Sequence, residues 1–117
     1  MVYIPRVESA LMRFGPRFIE RVFTAREVAA SRGFAHELAA RYAAKEAVSK
    51  ALGVGMRVMS PAGVKFHEVE TLRDLLGKPV VMLNGRAAER AQQLGLTEWA
   101  ISLSHEREYA VAFVVAQ

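Results

Sequence analysis

The chain has no cysteine. That excludes a disulfide framework, a thiol nucleophile and any thiolate-ligated metal, and it makes the cytoplasm the expected location. No apolar run approaches the ~20 residues needed to cross a bilayer, and no signal-peptide pattern opens the sequence. The three histidines, His36, His67 and His105, have no metal-ligand spacing, which argues against zinc. His36 falls near a helix start and is expected in solvent, while His67 reads as a structural strand residue. Ser104 and His105 are neighbours on a strand and so point to opposite faces, which argues against a hydrolytic pair. There is no phosphate-loop pattern, internal repeat, low-complexity segment or linker.

What is present is an ordinary globular composition of 117 residues, the size of one domain spanning 1–117. The net charge of +4 calls for an anionic partner: nucleic acid, a phosphorylated cofactor or an acidic protein. The charge is concentrated at the start, where Arg6, Arg13, Arg17, Arg21 and Arg26 face only Glu8 and Glu20. Arginine is a favoured anchor for carboxylates and phosphates, although on an amphipathic helix it is often merely solvated.

The pattern predicts a short strand at 1–4, a helix from Pro5 to Phe14, and a break at Gly15-Pro16 before a second helical piece. Thr24-Ala25-Arg26-Glu27 matches a capping box and starts a third helix, to about Arg32. A long helix runs from about Phe34 to Gly53, followed by a loop holding Ser60-Pro61-Ala62-Gly63. A strand is expected over 64–72 with a bulge near His67 or Glu68, then a strand at 79–83 and a helix over 87–94. Two strands close the chain, and the near-continuous apolar run of 109–115 reads as a central or interface strand. The order fits an α+β fold, an antiparallel sheet with helices packed on one face.

The long helix holds the densest chemistry. On a wheel of 100° per residue, Ala40, Ala43, Ala44, Ala47, Val48, Ala51 and Leu52 fill one side. Arg41, Tyr42, Lys45, Glu46, Ser49 and Lys50 fill the other. Cations grouped around one carboxylate suit a polyphosphate. A solvated face with a Glu46–Lys50 i,i+4 pair explains the same spacing. A chain without its own nucleophile can still catalyse group transfer when its partner supplies the attacking group. It then needs a metal, cations for phosphate charge, and orientation. Magnesium takes one or two carboxylates and completes its shell with water and substrate phosphates.

The stretch from Arg41 to Gly55 resembles the helix signature of the holo-[acyl-carrier-protein] synthases. Further matches follow in order: Arg21-Val22-Phe23-Thr24 with Glu27, Phe66 to Glu70, Gly77-Lys78-Pro79, Ser102 to Glu106, and Tyr109 to Ala112. The resemblance implies a 4′-phosphopantetheinyl transferase-like fold. It also implies magnesium-dependent transfer of 4′-phosphopantetheine from coenzyme A to a serine of apo acyl carrier protein. Adenosine 3′,5′-bisphosphate is released, in fatty acid biosynthesis. By the same resemblance, Glu46 is a metal ligand and Lys50 neutralises the diphosphate and assists proton transfer. Arg41, Lys45, Lys50, Gly53, Lys78, Pro79 and His105 match positions lining the coenzyme A site. Arg6, Arg13 and Arg17 resemble the basic surface that docks the acidic carrier protein. A chain with one such unit is expected to form a homotrimer with sites between subunits, and no membrane partner is implied.

The match fails at the start. Family members open with a strand carrying Gly-(Ile/Thr)-Asp, whose aspartate is a second magnesium ligand, and Met1 stands directly after that position. A start lying upstream, with the first strand cut short, is the expectation, because every later motif is intact. The sequence as it stands implies weakened magnesium binding and low activity. One alternative is a non-catalytic homologue that binds carrier protein. A basic nucleic-acid-binding domain ranks last, since no such motif is present.

Overall fold

A computed structural model describes residues 1–57 and 63–117. The expected loop positions Ser60, Pro61 and Ala62 lie outside the described residues. The chain begins with strand β1 (Val2–Tyr3) and three short helices, α1 (Ile4–Phe14), α2 (Pro16–Val22) and α3 (Ala25–Ser31). The long helix α4 (Ala35–Ala51) follows, then strands β2 (Val69–Arg73) and β3 (Pro79–Leu83). Helix α5 (Gly85–Gln93) leads into the closing strands β4 (Trp99–His105) and β5 (Tyr109–Ala116). Among the described residues, no helix is long and apolar enough to cross a membrane.

Local chemistry explains the boundaries. Pro5 and Pro16 each sit in a first helical turn, where a missing N–H costs nothing. Thr24 Oγ1 accepts from Glu27 N at 3.2 Å and Glu27 Oε1 accepts from Thr24 N at 3.2 Å, so the capping box is complete. The strand expected over 64–72 begins only at Val69, because Phe66–Glu68 form a 3-10 turn. The Glu68 carboxylate causes this by accepting the backbone N–H of Lys65 at 2.7 Å and also that of Arg86. The parity break between Phe66 and Val69 is therefore a turn and not a bulge.

The strands form two antiparallel sheets, β1-β5-β4 and β2-β3. β5 is central in the first, as its apolar run requires. Its register places Val2 opposite Ala110, Leu103 opposite Ala112 and Ile101 opposite Val114. This face lies against α4. The neighbouring pairs Ser102–Phe113 and Ala100–Val115 point the other way, and Phe113 is 74% exposed there.

Helix α4 carries both hydrophobic clusters. Leu38, Ala39, Ala40 and Ala43 meet Ile4, Val7, Val22, Phe23 and Ala110 around its first half. Val48 and Leu52 meet Met56, Val64, Val69, Ala87 and Ala91 around its second. The alanines let the neighbouring elements approach closely.

The wheel is corrected on two points: Ala51, placed on its apolar side, is exposed, and three residues of its charged side are buried. Arg41 and Lys45 are both 0% exposed and Ser49 is 1% exposed, so this stripe of α4 is buried rather than open. Lys45 Nζ donates to Glu27 Oε1 at 2.7 Å, to Phe66 O at 2.7 Å and to Val69 O at 2.5 Å, which uses all three protons. Glu27 Oε2 in turn accepts from Thr71 N at 3.1 Å. One carboxylate therefore caps α3, pairs with α4 and receives β2. Burial pulls the Lys45 ammonium below its ordinary pKa, against the opposing pull of Glu27. Arg41 Nε donates to Thr71 O at 3.1 Å and its Nη1 to Glu37 Oε2 at 2.8 Å. Its Nη2 has no hydrogen-bond partner among the described residues, so Arg41 is the less completely satisfied of the two buried cations.

Removing one member of a buried pair leaves an uncompensated charge, which typically costs about 3–5 kcal/mol. Glu27→Gln is expected to lower unfolding free energy by about 3 kcal/mol in urea titrations. A loss well under ~1 kcal/mol would show that Lys45 finds other compensation.

Candidate active site

Glu46 lies in the second half of α4 and is half-buried. It borders a cleft of about 370 Å³ with Met1, Val2 and Tyr3 at β1, Arg6 on α1, and Tyr42 one turn before it on α4. Among the described residues its carboxylate makes no hydrogen bond or ion pair. The charge is nevertheless felt locally. Tyr42 is held above its ordinary pKa by burial and then by Glu46, with Arg6 opposing. A carboxylate at an open cleft with no partner of its own among the described residues is a fitting ligand for a hard cation that retains water and substrate oxygens.

Lys50 is exposed one turn further along α4, about 6 Å of helix rise from Glu46. The helix stops just beyond it. Gly53 adopts φ 76°, a left-handed conformation that disfavours side chains, and its N–H returns to Lys50 O at 2.9 Å. Arg90 of α5 donates from Nε to Leu52 O at 3.0 Å, and its Nη2 lies 3.7 Å from where a Gly53 Cβ would stand. A cation thus covers the negative end of the α4 dipole beside Gly53. Tyr42 and Arg90 were absent from the sequence-based site. The i,i+4 relation of Tyr42 to Glu46 was readable, whereas no local signal connects Arg90 to Gly53.

The remaining expected residues do not converge on Glu46. Arg41 and Lys45 are enclosed, so within one protomer they reach no open surface; they fix α4 against β2 and α3. His105 is exposed at the end of β4 and lies against His36, with ring centroids 4.4 Å apart. His36 is thus half-buried rather than free in solvent, and His67 is exposed. Lys78 and Pro79 sit where the β2–β3 turn enters β3. That turn is tied to the start of α4 by Arg73, which donates to Gly77 O at 2.8 Å and to Glu37 Oε2 at 3.4 Å. The candidates therefore divide into two groups, one at each end of α4. From His36 to Lys50 the helix rises about 20 Å. Arg6, Arg13 and Arg17 are all exposed and make no ion pair among the described residues.

The fold agrees with those of known proteins. The family model of the 4′-phosphopantetheinyl transferase superfamily matches residues 1–114, and the chain belongs to that superfamily. The holo-[acyl-carrier-protein] synthase of Herpetosiphon aurantiacus is 46% identical over 117 residues, covering 98% of this chain and 92% of that protein. The solved structure of the Helicobacter pylori holo-[acyl-carrier-protein] synthase in complex with coenzyme A superposes with a TM-score of 0.86 at 28% identity. That match covers 99% of this chain and 95% of that one. The Neisseria meningitidis holo-[acyl-carrier-protein] synthase gives 0.85 at 32% identity over 99% and 92% of the two chains. Within the superfamily, the chain is an enzyme of the holo-[acyl-carrier-protein] synthase family.

Two carboxylates at the ends of the buried network set an acid limit. Burial raises the Glu37 pKa, but hydrogen bonds and charge from Arg41 and Arg73 outweigh it and hold it below its ordinary 4.5. Glu70 is lowered likewise, burial being outweighed by hydrogen bonds from Arg26 and Thr24 and by the charges of Arg26 and Lys45. Both contributions are fully present above the unfolded-state pKa and are lost as pH falls through the folded value, because the unfolded chain takes up protons first. Urea midpoints measured on the acid side should fall as pH drops below 4.5, and less steeply in Glu70→Gln. An equally steep fall in that variant would remove Glu70 as a source.

Proposed function

We propose that the protein transfers 4′-phosphopantetheine from coenzyme A to a serine hydroxyl of apo acyl carrier protein. Magnesium is the cofactor, adenosine 3′,5′-bisphosphate is released, fatty acid biosynthesis is served, and the cytoplasm is the site of action. The observation that carries this reading is the unpaired Glu46 carboxylate at the cleft, one turn before the exposed Lys50, in a member of this family. Glu46 would hold the metal, with water and substrate oxygens as its other ligands. Bound magnesium would offset negative charge on the diphosphate.

The residues of the chain supply position and charge. Lys50 adds a second cation on the same face of α4, and Arg90 adds another beside Gly53. The carrier serine oxygen attacks the phosphorus bearing the pantetheine arm, and the bond from that phosphorus to the bridging oxygen breaks. The bridging oxygen leaves on adenosine 3′,5′-bisphosphate, and the serine proton passes to the released phosphate or to water. The nucleophile thus comes from the partner, which accounts for the lack of one here. Arg6, Arg13 and Arg17 offer unpaired cations to an acidic carrier surface.

Incubation of apo carrier protein with coenzyme A, magnesium and the enzyme should add the phosphopantetheinyl mass to the carrier. A chelator should abolish the reaction and magnesium restore it. Glu46→Gln is expected to lower kcat/KM by about a hundredfold with the fold intact. Wild-type turnover by that variant would remove Glu46 from the machinery.

Two observations support a homotrimer with sites between subunits. The candidate residues sit at opposite ends of α4, so one protomer does not gather them. The outer face of β4 and β5, with Phe113 and Val115 74% and 66% exposed, is a sheet face left uncovered. Sedimentation should give three times the 12.9 kDa chain mass, and Phe113→Asp should lower both the assembly state and turnover together. A fully active monomer would sink this reading.

A further inference from the structure

A second cluster of metal-ligating side chains lies away from Glu46. His36 and Glu37 occupy the first turn of α4, and His105 ends β4. One ligand atom from each of the three lies within 4.8 Å of the others. The imidazoles overlap at 4.4 Å with a 38° tilt, and Phe34 stacks on His36 at 5.6 Å and 11°. Phe34 thereby restricts the His36 ring.

The carboxylate is held ready. Glu37 Oε2 accepts from Arg41 Nη1 at 2.8 Å and from Arg73 Nη2 at 3.4 Å. Its Oε1 makes no hydrogen bond among the described residues and lies 3.9 Å from His36 Nε2. Outer hydrogen bonds that orient a ligating carboxylate are what a metal site needs. The pocket in front, about 460 Å³ and open to solvent, has Glu8, Glu106 and Arg107 in its wall. The two wall glutamates offset Arg107 and the positive end of the α4 dipole, both of which oppose a cation.

The geometry points to a transition-metal site formed by His36, Glu37 and His105, of the zinc class. Two imidazoles and one carboxylate suit zinc, cobalt or nickel, whereas magnesium prefers oxygen donors. With bonds near 2.0–2.1 Å, tetrahedral donors stand roughly 3.4 Å apart, so these side chains need to close by up to about 1.4 Å. His105 is exposed and can supply that movement. The bound ion would clamp the start of α4 to the end of β4, with one or more positions left for water. Within one protomer it is separate from the proposed magnesium position, since Glu46 lies about 14 Å of helix rise from Glu37, although His105 is also among the residues expected to line the coenzyme A site. The sequence argued against zinc because the histidines have no metal-ligand spacing; the fold brings His105 to the adjacent His36 and Glu37.

The test uses the full chain with zinc alone, without coenzyme A or carrier protein, so it stands or falls independently of the transferase reading. Zinc is titrated against a chromophoric chelator, and thermal unfolding is followed with and without zinc. The wild type should bind one zinc per chain, unaffected by excess magnesium, and melt at a higher temperature when zinc is present. His36→Ala and His105→Ala should each weaken binding about tenfold or more and abolish the zinc-dependent rise in Tm. Both should melt like the wild type without zinc. Glu37 is left intact because it also holds the buried Arg41. Failure of the wild type to bind zinc, or binding that survives in the double variant His36→Ala, His105→Ala, would overturn the proposal.

Discussion

The contact on which this fold depends is the ion pair between Glu27 and Lys45, both 0% exposed. Two charges taken out of water are tolerable only if each is fully engaged. Lys45 Nζ has three acceptors, from three parts of the chain, and Glu27 receives Thr24 N, Lys45 and Thr71 N. No single helix or strand could satisfy either group. The pair therefore forms only when α3, α4 and β2 are all in place. That makes it a register device as much as a source of stability. It fixes the rotation of α4, and with it the direction of Glu46, the next residue along.

The rotation of α4 divides its surface into parts with different tasks. The buried stripe through Arg41 and Lys45 ties the helix to its neighbours. Tyr42, Glu46 and Lys50 follow a stripe one residue on, which turns from the β1–α1 cleft toward solvent. The first turn, with His36 and Glu37, meets the end of β4 and, through Arg73, the β2–β3 turn. One helix thus serves as scaffold in its middle and presents separate chemistry near each end. The uncovered face of β4 and β5 points away from it.

Much of this was legible beforehand because it rests on local rules. The capping box at Thr24–Glu27, the proline-led starts of α1 and α2, and the glycine stop after α4 each involve groups only a few residues apart. Strand β3 and the central position of β5 followed from apolar runs. The turn at Phe66–Glu68 was less so. The break in alternation was visible, but the decisive contact from Glu68 to the backbone of Arg86 was not. The wheel erred for a related reason. It treats charge as a sign of exposure, and here Arg41 and Lys45 find carbonyl and carboxylate partners that only other elements can bring.

By itself the sequence determined the α+β class, nearly every element and the placement of Glu46 and Lys50 one turn apart on one helix, because these depend on periodicity, capping and i,i+4 spacing. It also carried the motifs that mark the family. Only the tertiary structure decided which cations are buried, that Tyr42 and Arg6 join Glu46 at a cleft, that Arg90 covers the end of α4, and that His36 meets His105. Those contacts join residues distant along the chain. Their energies come from burial and from completed hydrogen bonding, which no local pattern records.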